Sequence, residues 1–287
     1  MRIINFKINE NDAGLQIRDY LRNFGVSAAL LTKLKQTENG ITKNGVFAKA
    51  IETIESGDEL SIKIESKGSM PAPANLPLEI IYEDEDVLAL NKPPAMPVHE
   101  SRNHRGDTLS NAVANYMQGK NKTAFRAVFR LDRDTSGIVL TAKNELAAAK
   151  LAGKIKKDYY AVVCGEIRGC GTIDAPIRRI ESSIIKRGVF EDGETAVTHY
   201  ESIKTNGKYS LLKINLETGR THQIRVHFSN LGHPLAGDEL YGGNTCDISR
   251  QALHCRAIRF THPVTGKEIS LFCDFPSDMK KLIEEMS

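Results

Sequence analysis

Cysteine is scarce and unpatterned in this 287-residue chain. Cys164, Cys170, Cys246, Cys255 and Cys273 are odd in number, include no Cys-x-x-Cys pair and show no zinc-ligand spacing. That argues against a disulfide framework and fits reduced thiols in a cytoplasmic protein. Long apolar runs are missing as well. No run could span a bilayer, and residues 1–8 alternate like a strand rather than forming a signal peptide, so no membrane role is expected. There is no glycine-rich loop of the kind that cradles phosphates, no metal cluster and no internal repeat. No cofactor and no metal are therefore expected.

What is present fits a soluble globular protein, with 40% hydrophobic and 26% charged residues. The length allows one sizeable core plus a small domain. The net charge of +3 is unevenly spread. Residues 1–65 hold 9 Lys+Arg and 9 Asp+Glu, a net of zero, whereas residues 101–160 hold 12 and 5, a net of +7. A basic field of that kind suits a phosphate backbone.

Residues 1–65 form a small α/β unit. Ile17, Tyr20, Leu21 and Phe24 fall at helical spacing. Ser27 caps a second short helix carrying Leu30, Leu31 and Leu34. Asn44-Gly45 signals a type I′ turn, and Gly57-Asp58 opens an alternating strand through Leu60, Ile62 and Ile64. Residues 66–77 hold three prolines and a glycine without any period, and read as a semi-extended linker. The large unit, 78–287, begins with strands at 78–82 and 87–90. A proline-stiffened loop, 91–99, follows. Helices are predicted over 108–117 and over 144–155 with Asn144 as cap. Strands are predicted at 159–163, 196–204, 209–216, 257–260 and 268–273. Met279, Leu282, Ile283 and Met286 mark a C-terminal amphipathic helix. Strands outnumber helices, so the fold class is α+β with a mixed, largely antiparallel sheet and flanking helices.

Two stretches carry chemistry. In the first, an apolar run at 127–129 enters Arg130-Leu131-Asp132-Arg133-Asp134-Thr135-Ser136-Gly137, and a β-branched run at 138–140 leaves it. The pattern is strand, tight turn, strand, a rigid mount for polar groups. By composition alone it reads first as a solvated hairpin, since Asp, Thr, Ser and Gly are ordinary turn formers. In the second stretch, Ile224, Phe228 and Leu231 fall at i, i+4, i+7, between Thr221 as N-cap and Gly232-His233-Pro234 as stop. A helix over 222–231 puts Arg225 near its start, beside the inward face, where it needs a carboxylate or phosphate partner. His222 and His227 are five apart, which does not suit a metal pair on one helix face.

These residues carry a resemblance to the RluA-type family of pseudouridine synthases. Its Arg-Leu-Asp-x-x-Thr-Ser-Gly pattern is met from Arg130 to Gly137. Its Lys-Pro…Val-His loop is met from Lys92 to His99. Its Lys-x-Tyr-x-Ala-x-Val-x-Gly strand is met at Lys157, Tyr159, Ala161, Val163 and Gly165. Gly-Arg-Thr-His-Gln-Ile-Arg-Val-His runs from Gly219 to His227, and Gly-His-Pro…Gly-Asp…Tyr-Gly from Gly232 to Gly242. Ala-Leu-His starts at Ala252 and His-Pro-x-Thr-Gly at His262. Residues 14–65 likewise resemble the alpha-L RNA-binding motif. The family commonly has His before Arg-Leu-Asp, where this chain has Phe129, so no polar role is expected there.

The resemblance implies a cofactor-free isomerisation of uridine to pseudouridine in RNA, rRNA foremost and tRNA as an alternative, by a monomer. It maps the essential aspartate onto Asp132. It maps the active-site tyrosine onto Tyr159, packing on the uracil and taking the proton from carbon 5, a role for which a phenol must be tuned. Arg225 is the expected partner that keeps Asp132 ionised, within roughly 4 Å of it. Arg130, Lys92, His99, Thr135, Ile224 and Leu140 are the expected substrate-binding residues, with Ile224 or Leu140 walling the base pocket. A basic rim of Arg102, Arg105, Arg126, Arg133, Lys154 and Lys156 is expected to hold the backbone. Two other classes remain: an RNA-binding or ribosome-assembly factor without turnover, and a hydrolase using Asp132 and Asp134 as an acid/base pair.

Overall fold

The structure, a computed structural model, describes residues 1–65, 68, 70–119 and 124–286. Lys120 and Lys122 of the basic segment, and Ser66, Lys67 and Ser69 of the expected linker, lie outside the described residues.

The N-terminal part has strands β1 (Arg2–Lys7), β2 (Ile41–Lys43), β3 (Val46–Phe47) and β4 (Glu59–Ile64), with helices α1 (Ile17–Phe24) and α2 (Ala28–Gln36). The four strands form one antiparallel sheet in the order β1-β4-β2-β3. Ser27 Oγ accepts from Leu30 N as the cap of α2. Asn44 and Gly45 both have positive φ, 53° and 80°, as the hairpin turn between β2 and β3 demands. Ile17, Leu21, Leu30, Leu34, Leu60 and Ile62 fill the core beneath the sheet.

The second part carries β5 (Glu79–Glu83), β6 (Val87–Lys92), α3 (Leu109–Tyr116), β7 (Arg126–Ala127), β8 (Ser136–Ala142) and α4 (Glu145–Leu151). There follow β9 (Lys156–Cys164), β10 (Cys170–Asp174), β11 (Ile177–Arg179), β12 (Arg187–Val189), β13 (Val197–Thr205) and β14 (Tyr209–Leu216). The chain closes with α5 (Gln223–Asn230), β15 (Leu253–Thr261), β16 (Glu268–Phe272) and α6 (Ser277–Glu284). Eight strands run in the order β10-β13-β14-β9-β15-β8-β6-β5, with β16 added on β15 and β7 on β8. Among the described residues the β15–β8 pair alone is parallel, joined at His254↔Ser136 and Cys255↔Gly137. The sheet is thus mixed and largely antiparallel, in an α+β fold.

That parallel junction explains one glycine. Gly137 has φ of +113°, and a Cβ there would meet Cys255 O at 2.2 Å. Only glycine lets β8 approach β15 so closely. The approach matters because the Asp132 turn leads into β8, while β15 also pairs with β9, which carries Tyr159.

Some boundaries differ from the sequence expectation. Helix α4 stops at Leu151, short of 155, because Gly153 adopts φ of +70° and turns the chain. Thr221 does not cap α5. His222 takes the N-cap position with φ of 59° and ψ of 18°, and no side chain caps the helix. The linker is extended but docked. Leu76 packs on the large core, Ala74 N donates to Asn111 O, and Asn111 Nδ2 donates to Ala72 O. The two parts also touch. Leu146 of α4 sits in the N-terminal core, Arg2 makes two 2.9 Å bonds to the buried Asp86, and Lys33 pairs with Glu145 at 2.8 Å.

Candidate active site

The Asp132 turn is held from beneath. Thr135 N donates to Asp132 O, closing the turn at 3.1 Å. Lys92 points its ammonium under it and donates to Pro93 O, Met96 O and Arg133 O, each at 2.8 Å. One buried cation therefore ties the proline loop to the Asp132 turn. Burial pushes the Lys92 pKa down to about 7, against the pull of Asp134 and Asp132. Three carbonyl acceptors around one nitrogen match the three hydrogens of the charged form. Arg250 Nη1 donates to Asp134 O at 3.0 Å, and Gln251 Nε2 to Thr135 Oγ1 at 3.2 Å.

Opposite the turn stands α5, itself pinned to β13. Gln223 donates to Val197 O and Thr198 Oγ1, and His227 bonds Thr198 Oγ1 and Ala175 O. This presents Arg225, 7% exposed, to two carboxylates. Its Nε and Nη2 grip Asp238 at 2.7 and 2.8 Å, and its Nη1 reaches Asp132 Oδ2 at 3.2 Å. Asp132 is thus within salt-bridge distance, but Asp238 is the principal partner. Burial disfavours the Arg225 cation, yet the Asp238 bidentate pair and Asp132 outweigh it and hold the guanidinium above its usual range. Two carboxylates share one guanidinium. The Tyr241 ring lies 4.9 Å from the Arg225 carbon, and its hydroxyl is 2.9 Å from His222 Nδ1. His222 Nε2 is 3.8 Å from Asp132 Oδ2.

These groups open onto a cleft of about 670 Å³ lined by Asp132, Tyr159, Arg225, Ile224, His222, His99, Thr135, Arg130, Lys157 and Arg220, among others. The volume suits a small ligand or a single nucleoside. Tyr159 is 6% exposed. Burial, followed by the Cys255 thiol and the Asp132 charge, raises its phenol well above the ordinary tyrosine value. The free site therefore tunes Tyr159 toward keeping its proton, opposite to what a base requires. Burial and the nearby Arg130 lower His99, leaving it neutral against Phe125. Phe129 also lines the cleft, with the Lys157 ammonium 4.8 Å over its ring.

Two expected substrate contacts are not on the cleft. Lys92 is fully buried and spends its hydrogen bonds on backbone, so it shapes the site without lining it. Leu140 is fully buried in the middle of β8, inside the core, because the strand carries it past the cleft under the sheet. Ile224 alone of that pair walls the pocket. Of the expected basic rim, Arg133 lines the cleft, while Arg126 lies 3.6 Å from Glu145. Asp134 pairs with Arg133 at 2.9 Å and does not line the cleft, so the paired-carboxylate hydrolase site is not assembled there. Asp238, Tyr241 and His222 were not singled out from the sequence for this site. The first two stand in the Gly-Asp…Tyr-Gly segment, whose match carried no role until the fold brought it beside Arg225. Among the described residues, Asp84, Asp86 and His262 bring three metal-ligand atoms within 4.8 Å. They are already engaged, His262 Nε2 with Asp84 at 2.9 Å and Asp86 with Arg2 and Asn144.

Residues 86–230 match the family model described as RNA pseudouridylate synthase. The Bacillus subtilis protein named uncharacterized RNA pseudouridine synthase YjbO is 40% identical over 279 residues, 94% of this chain and 99% of that one. The chain belongs to the RluA-type RNA pseudouridine synthase family. This RluA-type synthase is an isomerase by class. It is also 35% identical over 262 residues to ribosomal large subunit pseudouridine synthase D of Escherichia coli K12, covering 84% of this chain and 80% of that one. Human RNA pseudouridylate synthase domain containing 4 shares its fold, with a TM-score of 0.59 at 20% identity over 72% of this chain and 92% of that structure.

Proposed function

We propose that this RluA-type synthase converts specific uridines of RNA, large-subunit rRNA foremost, to pseudouridine, with Asp132 as the essential carboxylate. One observation carries the reading. Asp132 stands in a nucleoside-sized cleft with one oxygen on a buried guanidinium, beside a tyrosine, with Arg130, Arg133, Lys157 and Arg220 on the cleft walls. In the reaction the bond from ribose C1′ to uracil N1 breaks, the base turns, C1′ bonds to C5, and the C5 hydrogen leaves as a proton while N1 gains one. Nothing is oxidised or consumed. An ionised carboxylate serves as nucleophile or as base in a transient step. The target base must leave its stack to reach it. Ile224 and Tyr159 then sandwich the uracil, His99 and Thr135 border it, and Arg130 fills the gap left in the RNA or holds a phosphate. For Tyr159 to take the C5 proton, RNA binding must reverse the upward shift of its phenol.

The family name of the Escherichia coli relative supports rRNA as substrate. The proposed reaction is that of a monomer acting in the cytoplasm without a cofactor. Residues 1–65 serve as a separate RNA-engaging module, with 66–77 as the connection to the catalytic domain. The test is incubation with large-subunit rRNA and with tRNA, both labelled with tritium at uridine C5. Tritium release confined to rRNA supports the reading. Binding without release supports the assembly-factor alternative, and free uracil the hydrolase.

A further inference from the structure

The two oxygens of Asp132 have different surroundings. Oδ2 lies 3.2 Å from Arg225 Nη1 and 3.8 Å from His222 Nε2. Oδ1 has no hydrogen bond among the described residues. His222 is itself locked in place. Its backbone is in the left-handed region, at φ of 59°, which side-chain-bearing residues seldom adopt and which recurs at functional sites. Its ring stands edge-on to Tyr241 with centroids 5.7 Å apart.

The hydrogen bonds of Tyr241 favour one imidazole tautomer. The Arg187 backbone N–H donates to Tyr241 Oη at 3.0 Å, so that oxygen already accepts. His222 Nδ1, at 2.9 Å, is the one acceptor its hydroxyl hydrogen reaches among the described residues. With Nδ1 accepting, a neutral imidazole carries its hydrogen on Nε2, the nitrogen that faces Asp132. Burial lowers the pKa of the ring despite the pull of Asp132 and Asp238, with Arg225 and Arg187 adding to the downward shift.

We infer that His222 is a positioning residue of the isomerisation: its Nε2–H, set by Tyr241, joins Arg225 on Oδ2 of Asp132 and turns Oδ1 toward the substrate. The inference rests on the role proposed above for Asp132. Two donors on one oxygen fix the rotation of the carboxylate, which a single guanidinium nitrogen at 3.2 Å leaves partly loose. The 3.8 Å separation is longer than a hydrogen bond, and such contacts tighten when substrate closes a site.

Two readouts test this. The first is the ring ¹⁵N spectrum of the substrate-free protein, with His222 assigned by the signals lost in His222→Gln. The Nε2–H tautomer is expected in the wild type, with exchange between tautomers in Tyr241→Phe; an Nδ1–H wild-type ring overturns the inference. The second is turnover on RNA. His222→Ala is expected to lower kcat by about tenfold or more, on the order of the loss of one hydrogen bond to a charged group, with KM for RNA nearly unchanged. Tyr241→Phe should fall between it and the wild type. His222→Gln, whose amide N–H reaches the Nε2 position, should recover most of the rate. Turnover in the wild type that His222→Ala leaves unchanged overturns the inference alone. A wild type without turnover on any RNA overturns it together with the role of Asp132.

Discussion

Replacing Arg225 with alanine separates what the guanidinium does for stability from what it does for the reaction. Its side chain is 8% exposed and that of Asp238 is 1% exposed, so the substitution strands a carboxylate in the interior. Breaking such a pair costs about 3–5 kcal/mol. Asp132 also loses its partner, but its side chain is 27% exposed and water replaces the bond, adding little to the loss. At roughly 2–4 °C per kcal/mol for a chain of this size, Tm should fall by about 6–20 °C. Arg225→Met combined with Asp238→Leu removes both charges and should recover most of that loss, since apolar replacement of a whole buried pair is often neutral. Turnover should not recover with it. A hydrogen bond to a charged group contributes about 1.5–3 kcal/mol, so both variants should be slower by roughly tenfold to a hundredfold or more. Thermal unfolding beside a tritium-release assay reads both quantities. An Arg225→Ala protein within about 1 kcal/mol of the wild type, or a double variant with restored turnover, would refute the reasoning.

Three further outcomes are expected. Lys92→Met leaves three carbonyls without their donor, so it should cost at least about 2 kcal/mol in urea unfolding and slow turnover through the displaced turn; an unchanged midpoint would show that the cation is dispensable. His254 is pushed down to about 4 by burial. The unfolded chain, protonating near 6.5, therefore binds more protons between those values, and stability should be lost as pH drops through that window, by about 2 kcal/mol at pH 5; a His254→Asn protein with the same pH slope would contradict this. Arg2→Ala leaves Asp86 with Asn144 but without its cation. It should cost about 2–3 kcal/mol, less than a fully buried pair because Arg2 is partly exposed; full stability would mean that the N-terminal sheet is not docked through this contact.

Much of this site was legible in the sequence because its residues are locally patterned. Arg130 to Gly137 is a turn between two apolar runs, and Ile224, Phe228 and Leu231 mark one face of a helix, so Asp132 and Arg225 stood out although 93 positions separate them. The strands were legible where alternation was strong, as in β4 and β14. Other features depend on long-range placement. A lysine read alone suggests a solvated surface, and only the meeting of the proline loop with the Asp132 turn makes Lys92 a buried tie. Asp238 becomes the main partner of Arg225 because Leu235 bridges Val163 and lays the following loop beside α5. Leu140 and Ile224 are both apolar and near the motifs, and nothing local shows which of them faces the cleft. His222 looked like a helix residue after a threonine cap, whereas the chain enters α5 through a left-handed residue. The linker's prolines were visible, but its packing along α3 depends on Asn111, whose role is set by burial.

The most direct test of the account is Asp132→Asn against the wild type on the same uridine-containing RNA, with pseudouridine mapped by position and RNA binding measured in parallel. The substitution keeps the size of the side chain, so binding should persist, and Nη1 of Arg225 retains an acceptor. The account expects pseudouridine at defined uridines with the wild type and none with Asp132→Asn. Turnover by the variant within about tenfold of the wild type, a barrier change under roughly 1.4 kcal/mol, would contradict it.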